Sequence, residues 1–522
     1  MRFLPSSIAW LESIPRRVRG AFGRGGGTPP CKPLSGDPLD YALLPLGDRD
    51  VFRLRDALDG GVAIWGASGA GKTSSSGAAL AKAYLSCNFG GLVTTSKPDE
   101  RSLWERYARE TGRSDDLIIV SPQNSHRFNF LEWQWTLPAD AGGGLVENVV
   151  QLFMLAMEVG GERQDAGPDP YWQRSIKQML RNAIQLAGLA TGTIRLADLL
   201  AIIRSAPKSI EEVRAEESSW RRDSFCFQKL LEASRKLTTE AERLDYDGME
   251  AYWLSEFPDL APKTRSIIVQ GFTSLVDPFT RSPLRELFCT TTTFRPEDAQ
   301  RGKIILLDLP VKEWADVGRF AQVLFKVCFQ KATERRDIGK SPVPVFLFAD
   351  EAQLFLTSYD ELFLQTARSS RACTVYLTQN LPNVYSALGG HQKAQHQADS
   401  ILGNLSTHIY HANGDANTNE YAARRIAQTW QLKTGANQGY SSNTSQSGGS
   451  LNADTATTAN YSDNSGTSVS EQLAYQVLPQ EFTMLRTGGP HNNLLVDGIL
   501  HKPGRVWNAT GTNYIRVTFK QR

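Results

Sequence analysis

Short, almost wholly apolar stretches recur along the chain and give the first indication of its architecture. Five of them are rich in β-branched or aromatic residues and occupy residues 92–95, 117–120, 304–307, 343–348 and 374–377. Continuous apolarity, rather than alternation, is typical of strands that are covered on both faces. Segments with helical periodicity lie between them, for example at residues 74–85 and 317–334, and supply the crossovers that parallel strands require. The pattern predicts an α/β fold around a mostly parallel central sheet.

The pattern changes between residues 166 and 288. Long segments with helical periodicity, such as 171–189 and 225–242, follow one another there, and strand-like runs almost vanish. We therefore expect an inserted all-α domain at residues 166–288. It would divide the α/β domain into a first part at residues 41–165 and a second part at residues 289–433.

Three further segments have a composition of their own. Residues 1–40 combine apolar positions with arginines, which predicts a basic amphipathic segment that lies on an anionic membrane, docks on a partner or frays. Residues 434–472 are Ser, Asn, Thr, Gly and Ala almost throughout. They predict a mobile loop, because they offer little apolar area to offset the entropy of ordering. Apolar alternation resumes in residues 473–522 and predicts closing antiparallel strands.

Composition limits the classes of function. The 522 residues include 57 Lys and Arg against 55 Asp and Glu, a formal net charge of +2, so any contact with DNA must be local. Six cysteines without paired spacing and seven histidines predict neither a disulfide framework nor a zinc site. Since no run approaches the roughly 18 to 20 apolar residues of a membrane span, we expect a soluble, cytoplasmic protein.

A glycine-rich loop with the complete phosphate-binding pattern follows the apolar run 62–65 and precedes a helix-favouring stretch. Its glycines let backbone N–H groups turn toward a phosphate chain, and the helix adds the positive end of its dipole. In this pattern Lys72 reaches the β- and γ-phosphates, and Thr73 ligates Mg²⁺. The sequence thus predicts a site for ATP and Mg²⁺. The loop residues of this site are Gly66, Ala67, Ser68, Gly69, Ala70, Gly71, Lys72, Thr73 and Ser74.

An acidic pair, Asp350 and Glu351, closely follows the apolar run 343–348. Ligands bind at the carboxyl edge of a parallel sheet, so both carboxylates are candidates for the site. We expect Asp350 to complete the Mg²⁺ shell. Glu351 would face the other way and polarise a water molecule for in-line attack on the γ-phosphorus. A helix N-cap would explain one carboxylate but not both.

Two more residues are candidates for contacts with the γ-phosphate. Gln379 follows the run 374–377 and is predicted to bond the attacking water and the phosphate; an ordinary polar residue at a strand end is the alternative. Arg368 lies just before that run, close to Arg371. A planar guanidinium can stabilise the charge on a phosphoryl group held by a neighbouring subunit of a ring, so we predict that Arg368 acts in trans. The alternative is a solvated surface arginine.

Taken in this order, the motifs resemble those of the conjugative coupling proteins of the TraG/TraD group, within the FtsK/HerA class of hexameric pumping ATPases. Besides the nucleotide motifs, the resemblance rests on residues 91–100, 127–131, 302–310, 402–407 and 481–485. It implies a RecA-like P-loop NTPase domain with a mostly parallel central sheet, interrupted by the all-α domain. It also implies the catalytic roles of Lys72, Glu351, Gln379 and Arg368, and the metal ligands Thr73 and Asp350.

The resemblance further implies a homo-hexameric ring through which ATP hydrolysis drives DNA, single-stranded by preference, toward a type IV secretion channel. Its partners would be a relaxase or other nucleoprotein cargo and the components of that channel. Two departures stand out. The amino-terminal membrane helices of many members are missing, so contact with the inner face of the cell membrane would be peripheral. Thr95 stands where members often carry an aspartate two residues ahead of the motif lysine, here Lys97, and we assign that motif no role.

Two other functions stay open at this point. One keeps the motor but places it in genome processing or defence, as in the HerA relatives. The other is a protein-recruitment platform in which bound ATP orders a binding surface. Stimulation of ATP hydrolysis by DNA distinguishes both DNA motors from the platform.

Overall fold

The computed structural model describes residues 37, 39–160, 170–216, 218–446 and 457–521. The predicted amphipathic segment at residues 1–40 lies outside these residues except for its last few positions. The chain forms two compact units, one of residues Met1–Asn413 with Leu485–Arg522 and the other of residues Gly414–Met484.

The strands of both units are numbered in chain order. They are β1 (Ala42–Leu46), β2 (Asp50–Arg53), β3 (Val62–Trp65), β4 (Gly90–Thr94), β5 (Leu117–Val120), β6 (Ile304–Leu307), β7 (Val345–Ala349), β8 (Ala372–Thr378), β9 (Thr407–Tyr410), β10 (Gln428–Gln446), β11 (Thr457–Tyr475), β12 (Leu495–His501) and β13 (Tyr514–Lys520). Nine of them form the central sheet of the first unit, in the order β13-β12-β9-β3-β8-β7-β4-β6-β5. Neighbours from β9 to β5 are parallel, whereas β12 pairs antiparallel with both β9 and β13. The predicted parallel sheet and the closing antiparallel strands are both present.

The inner strands are apolar because both faces of the sheet are covered. All residues of β3, β4, β6, β7, β8 and β9 are buried. On one face, Trp104 stacks on Phe346, with ring centroids 5.7 Å apart, and meets Phe348 edge-on at 5.1 Å. At the sheet edge, β13 alternates buried Ile515 and Val517 with exposed neighbours, as expected for a strand with one solvated face.

The helices are numbered in the same way. They are α1 (Leu54–Leu58), α2 (Ala78–Ser86), α3 (Glu100–Glu110), α4 (Phe130–Trp135), α5 (Val146–Gly160), α6 (Pro170–Thr191), α7 (Leu196–Arg204), α8 (Ile210–Arg214), α9 (Ser219–Asp223), α10 (Phe225–Ser234), α11 (Glu240–Ala251), α12 (Phe257–Asp259), α13 (Pro262–Val276), α14 (Leu284–Phe288), α15 (Val311–Arg335), α16 (Ser358–Thr366), α17 (Leu381–Ala387), α18 (Gln392–Asn404) and α19 (Ala416–Ile426). Two π-helical turns, Thr73–Gly77 and Tyr252–Glu256, precede α2 and α12.

The predicted helical insertion is present, and further helices precede residue 166 in the chain. From the end of β5 at Val120 to the start of β6 at Ile304, the described residues contain helices and turns and no strand. Helices α4 and α5 lie within the stretch 41–165 that was assigned to the α/β domain, and α5 packs on α15. Because all these helices belong to the first compact unit, the domain boundaries at residues 166 and 288 stay a prediction.

The second unit contains α19 and a two-stranded antiparallel ribbon, β10 with β11. The register runs unbroken from Gln428↔Tyr475 to Gln446↔Thr457. The prediction of a mobile loop at residues 434–472 is therefore wrong for the described residues of this segment. The composition argument considered only the small apolar area, whereas strand pairing satisfies the backbone N–H and C=O groups whatever the side chains.

Two further expectations from composition can be compared with the described residues. Among them, no single helix is both long and apolar enough to span a membrane; one bent pair, Tyr171–Thr191 with Leu196–Arg204, passes the same test jointly and turns by 115° between its parts. No group of three or more His, Cys, Asp or Glu side chains in the described part could hold a metal ion. Cys87 is disulfide-bonded, which the cysteine spacing did not predict. Cys226, Cys289, Cys328 and Cys373 are free.

Candidate nucleotide-binding site

The strand order brings the separate sequence motifs to one edge of the sheet. The phosphate-binding loop follows β3, and the acidic pair follows β7, which is two strands away. Strand β8 lies between them, and Gln379 is the first residue after it. Because these three strands are parallel, their carboxyl ends meet at the same edge. This edge gathers the loop, the acids and the glutamine, as the sequence predicted.

The phosphate-binding loop is folded tightly around its own lysine. Gly66 has φ 158°, and a Cβ atom at this position would lie 2.9 Å from the Cβ of His411, so only glycine fits. The Lys72 ammonium donates to the carbonyl oxygens of Gly66 at 2.7 Å and Ala67 at 3.2 Å. Burial lowers the pKa of Lys72, and the charge of Glu351 opposes this shift. The lysine thus lies over the loop whose N–H groups would hold the phosphates.

Two predicted metal ligands are in direct contact. The Thr73 hydroxyl donates to Asp350 Oδ2 at 2.9 Å, although the residues are 277 positions apart. Thr73 begins the π-helical turn Thr73–Gly77, and Asp350 is 3 % exposed. Hydroxyl and carboxylate oxygens are the ligands that Mg²⁺ prefers. The residues present therefore fit a magnesium ion bound jointly with a nucleotide phosphate.

Glu351 is held by two amide side chains. Gln379 Nε2 donates to Glu351 Oε1 and Gln353 Nε2 donates to Glu351 Oε2, both at 2.9 Å. Thr378 in turn donates to Gln353 Oε1 at 2.9 Å and fixes the orientation of that amide. Glu351 itself has φ 50° and ψ 50°, a left-handed conformation that costs energy for a residue with a side chain. Both carboxylate oxygens are occupied in this arrangement.

The same contacts set the charge of Glu351. Burial alone would raise its pKa, but the hydrogen bonds from Gln353 and Gln379 and the charges of Lys72 and Lys97 lower the pKa below its usual value. The carboxylate is therefore ionised at neutral pH and can accept a proton from water.

The sequence analysis missed two residues of this site. Lys97 Nζ lies 3.4 Å from Asp350 Oδ2 and 3.8 Å from Glu351 Oε1. Gln353 is the second amide on Glu351. For Lys97 a signal existed, because it follows the strand-like run 92–95 just as Asp350 follows its own run. For Gln353 there was none, since its place depends on the left-handed backbone at Glu351.

A buried carboxyl group supports the loop that carries Lys97. Glu100 accepts hydrogen bonds from the Ser96 backbone at 3.1 Å and from the Ser96 hydroxyl at 2.8 Å. Desolvation by burial, followed by the negative charge of Asp350, raises the pKa of Glu100 to about 8. The group is thus largely protonated at neutral pH, which avoids a third negative charge beside the acidic pair.

The C-terminal strands contact the helical turn that follows the loop. Gln521 Nε2 donates to the Ser74 hydroxyl at 2.7 Å. His411 contacts the Ser76 hydroxyl through Nε2 at 2.7 Å and the backbone oxygen of Asp497 through Nδ1 at 2.8 Å. Burial lowers the pKa of His411 to about 4, so the ring is neutral. A carbonyl oxygen can only accept, which assigns the ring proton to Nδ1 and leaves Nε2 to accept from Ser76.

Arg368 lies away from this site in its own chain. It is in the turn between α16 and β8, at the amino ends of the strands, whereas the phosphate-binding loop is at their carboxyl ends. Its guanidinium is exposed and pairs with Asp59 at 3.2 Å. The Arg371 guanidinium instead donates to the backbone oxygen of Pro342 at 2.6 Å. Action of Arg368 on a neighbouring subunit stays a prediction.

Comparison with known proteins finds similar folds among solved structures. No family model matches the chain, and no curated protein sequence matches it. Among solved structures, the plasmid coupling protein TrwB in complex with a non-hydrolysable ATP analogue is 14 % identical, with 96 % of this chain and 97 % of that chain covered and a TM-score of 0.55. The complex of TrwB with a GTP analogue is also 14 % identical, with 96 % of this chain and 97 % of that chain covered and a TM-score of 0.56.

A third TrwB structure, in complex with ADP and Mg²⁺, is also 14 % identical, with 90 % of this chain and 86 % of that chain covered and a TM-score of 0.54. The likeness extends over nearly the whole chain and shows the fold. The chain shares the fold of TrwB, a RecA-like α/β fold with a mostly parallel central sheet and a helical insert, which confirms the predicted fold class.

Proposed function

We propose that this chain is an ATP-hydrolysing DNA translocase that acts as a coupling protein for a type IV secretion or conjugation channel. The observation that carries the proposal is the contact of Thr73 with Asp350 beside a Glu351 that Gln379 holds, at the carboxyl edge of the sheet. The coupling protein TrwB, which shares the fold, has been solved with an ATP analogue and with ADP and Mg²⁺.

In the proposed mechanism, Thr73 and Asp350 would hold Mg²⁺, which would offset the negative charge that develops on the phosphates. The backbone N–H groups of the loop bind the phosphate chain. Lys72 exchanges its contacts with the Gly66 and Ala67 carbonyls for the phosphates. For Lys72, this exchange requires only that its side chain turns within a preformed loop.

Glu351 acts as the base that orients and polarises the attacking water. In the arrangement described, each of its oxygens accepts from one amide, and loss of either amide would leave all the acceptor sites of that oxygen open to water. The Gln379 amide is the one that lies on the strand beside the phosphate-binding loop. We propose that binding of the γ-phosphate draws this amide away and frees Glu351, which makes Gln379 the nucleotide sensor.

For Arg368 we propose a role in trans within a homo-hexameric ring. Its position at the edge opposite its own phosphate-binding loop excludes action in cis and suits action on a neighbour. In this role it would exchange Asp59 for the phosphates of the next subunit. The partners that we propose are single-stranded DNA in the ring channel, a relaxase or nucleoprotein cargo and the channel components, with the protein in the cytoplasm, peripheral to the membrane.

The test is ATP hydrolysis by the purified chain with and without single-stranded DNA. We expect DNA to raise the rate, and Lys72→Ala and Glu351→Gln to abolish it, with ATP still retained by Glu351→Gln. Glu240→Gln changes an exposed carboxylate in the helical insert and should leave the rate unchanged. Hydrolysis that ignores DNA, in a chain that does not bind DNA, would support a recruitment platform instead.

A further inference from the structure

Lys97 is brought to the acidic pair by the pairing of β4 with β7. The register aligns Thr94 with Ala349 at the ends of these parallel strands. The residues that follow each strand therefore leave the sheet side by side, at the same edge as the phosphate-binding loop. Lys97 Nζ lies 3.4 Å from Asp350 Oδ2 and 3.8 Å from Glu351 Oε1. One ammonium group thus lies within ion-pair distance of two carboxylates.

The Lys97 ammonium occupies the surroundings of the predicted metal. It shares Asp350 Oδ2 with the Thr73 hydroxyl, which donates to the same oxygen at 2.9 Å. Thr73 and Asp350 are the two residues that fit Mg²⁺. A divalent cation on this oxygen and an ammonium at hydrogen-bond distance from it would repel each other strongly in a partly desolvated site. The two cations therefore compete for Asp350.

The loop around Lys97 is rigid, whereas the lysine side chain is free to turn. Thr95 donates from its backbone to Gln322 Oε1 at 2.7 Å and from its hydroxyl to the Leu307 carbonyl at 2.6 Å. Ser96 is fixed by Glu100. The Lys97 side chain is 31 % exposed and has four methylene groups of reach. It can leave Asp350 without movement of the backbone.

Lys72 does not contact the two carboxylates in the arrangement described. Its ammonium donates to carbonyl oxygens of its own loop. Removal of Lys97 would leave Asp350 and Glu351, which are 3 % and 9 % exposed, without a cation in direct contact. With only Lys72 acting on them from a distance, two adjacent buried carboxylates would attract a divalent ion even when no phosphate is present.

We propose that Lys97 is the counter-cation of the acidic pair, which makes binding of the metal depend on binding of the nucleotide. It offsets part of the negative charge of Asp350 and Glu351 until Mg²⁺ arrives with the triphosphate, and then withdraws from Asp350. A metal ion alone would have to displace the Lys97 ammonium with no added negative charge in the site. The triphosphate supplies that negative charge when it binds together with the metal. This inference rests on the proposed nucleotide site, but not on hydrolysis or on DNA.

The test is binding of Mn²⁺ to the nucleotide-free protein. The electron paramagnetic resonance signal of free Mn²⁺ measures how much of the ion is bound. We expect Lys97→Met to bind Mn²⁺ at least about tenfold more tightly than the wild type, since the competing charge is gone. Lys97→Arg keeps the charge and should resemble the wild type. Lys303→Met removes a lysine that pairs with Asp116 at 3.0 Å beyond this site, and it should also resemble the wild type.

The double variant Lys97→Met, Asp350→Asn identifies where the additional Mn²⁺ binds. It should lose the increase in Mn²⁺ affinity that Lys97→Met alone shows. Equal Mn²⁺ affinity of Lys97→Met and the wild type, with a native circular dichroism spectrum for both, would overturn the proposal. So would an equal gain in Lys303→Met. If the wild type hydrolyses no ATP but Lys97→Met still binds Mn²⁺ more tightly than the wild type, the proposed function fails and this inference stands. If the wild type hydrolyses ATP but the two proteins bind Mn²⁺ equally, this inference fails and the proposed function stands.

Discussion

Replacing Gln353 with leucine removes one of the two amides on Glu351 while keeping the size of the side chain. The lost hydrogen bond, 2.9 Å long, joins an amide to a carboxylate on a residue that is 9 % exposed. A hydrogen bond to a charged group contributes about 1.5–3 kcal/mol, and one pKa unit corresponds to about 1.4 kcal/mol. We therefore expect the pKa of Glu351 to rise in Gln353→Leu, because the hydrogen bond from Gln353 is one of the contacts that lower it.

The sign of the pH dependence follows from the direction of the native shift. Because the folded pKa of Glu351 lies below the unfolded one, the stability that it contributes is complete above the unfolded pKa. That stability is lost as the pH falls through the folded pKa. Gln353→Leu should thus be less stable than the wild type by about 1–3 kcal/mol at pH 7, and the difference should narrow in acid.

Two assays check this prediction. Urea unfolding at pH 7 and at acidic pH measures the change in stability. The acidic limb of the ATPase pH profile reports the Glu351 carboxyl and should move to higher pH. Gln392→Leu alters an exposed glutamine at the start of α18 and should change neither the stability nor the acidic limb of the pH profile. Identical acidic limbs for Gln353→Leu and the wild type would refute the view that the two amides hold Glu351 in its ionised form.

Two further predictions concern residues away from the phosphates. Arg368→Ala mixed with Glu351→Gln should recover part of the ATPase rate, because each variant lacks a different half of a shared site. The control Arg301→Ala changes an exposed arginine and should be active alone. Absence of recovery at every mixing ratio would exclude the trans role of Arg368. Lys326→Met should lower the free energy of unfolding by about 3–5 kcal/mol, because it leaves the buried Asp360 carboxylate without its cation; a loss below about 1 kcal/mol in urea unfolding would contradict this assignment.

The motifs that could be predicted from sequence are those whose chemistry is local. The loop from Gly66 to Thr73 carries its own pattern, and the strands around it are recognisable because both faces of the sheet are buried. Thr73 and Asp350 could be paired in advance, since parallel strands bring their carboxyl ends to one edge. The structure adds the order of the strands, which places β8 and Gln379 between the two halves of the site.

The rest depends on contacts that no local pattern encodes. Lys97 acts through the pairing of β4 with β7, and Gln353 through the left-handed backbone of Glu351. The ribbon of β10 and β11 was missed because composition describes burial of side chains but not pairing of backbones. Short helices such as α4 (Phe130–Trp135) were not predicted, since they have too few residues to show a clear period.

The central claim is that Thr73, Asp350 and Glu351 form one pocket for ATP with Mg²⁺. The most direct measurement is retention of radiolabelled ATP by purified Glu351→Gln protein with Mg²⁺ present, beside the same protein that also carries Lys72→Ala. The account predicts stoichiometric retention of uncleaved ATP in the first and none in the second. Retention that is equal in both proteins, or absent from both when they are folded, would contradict it.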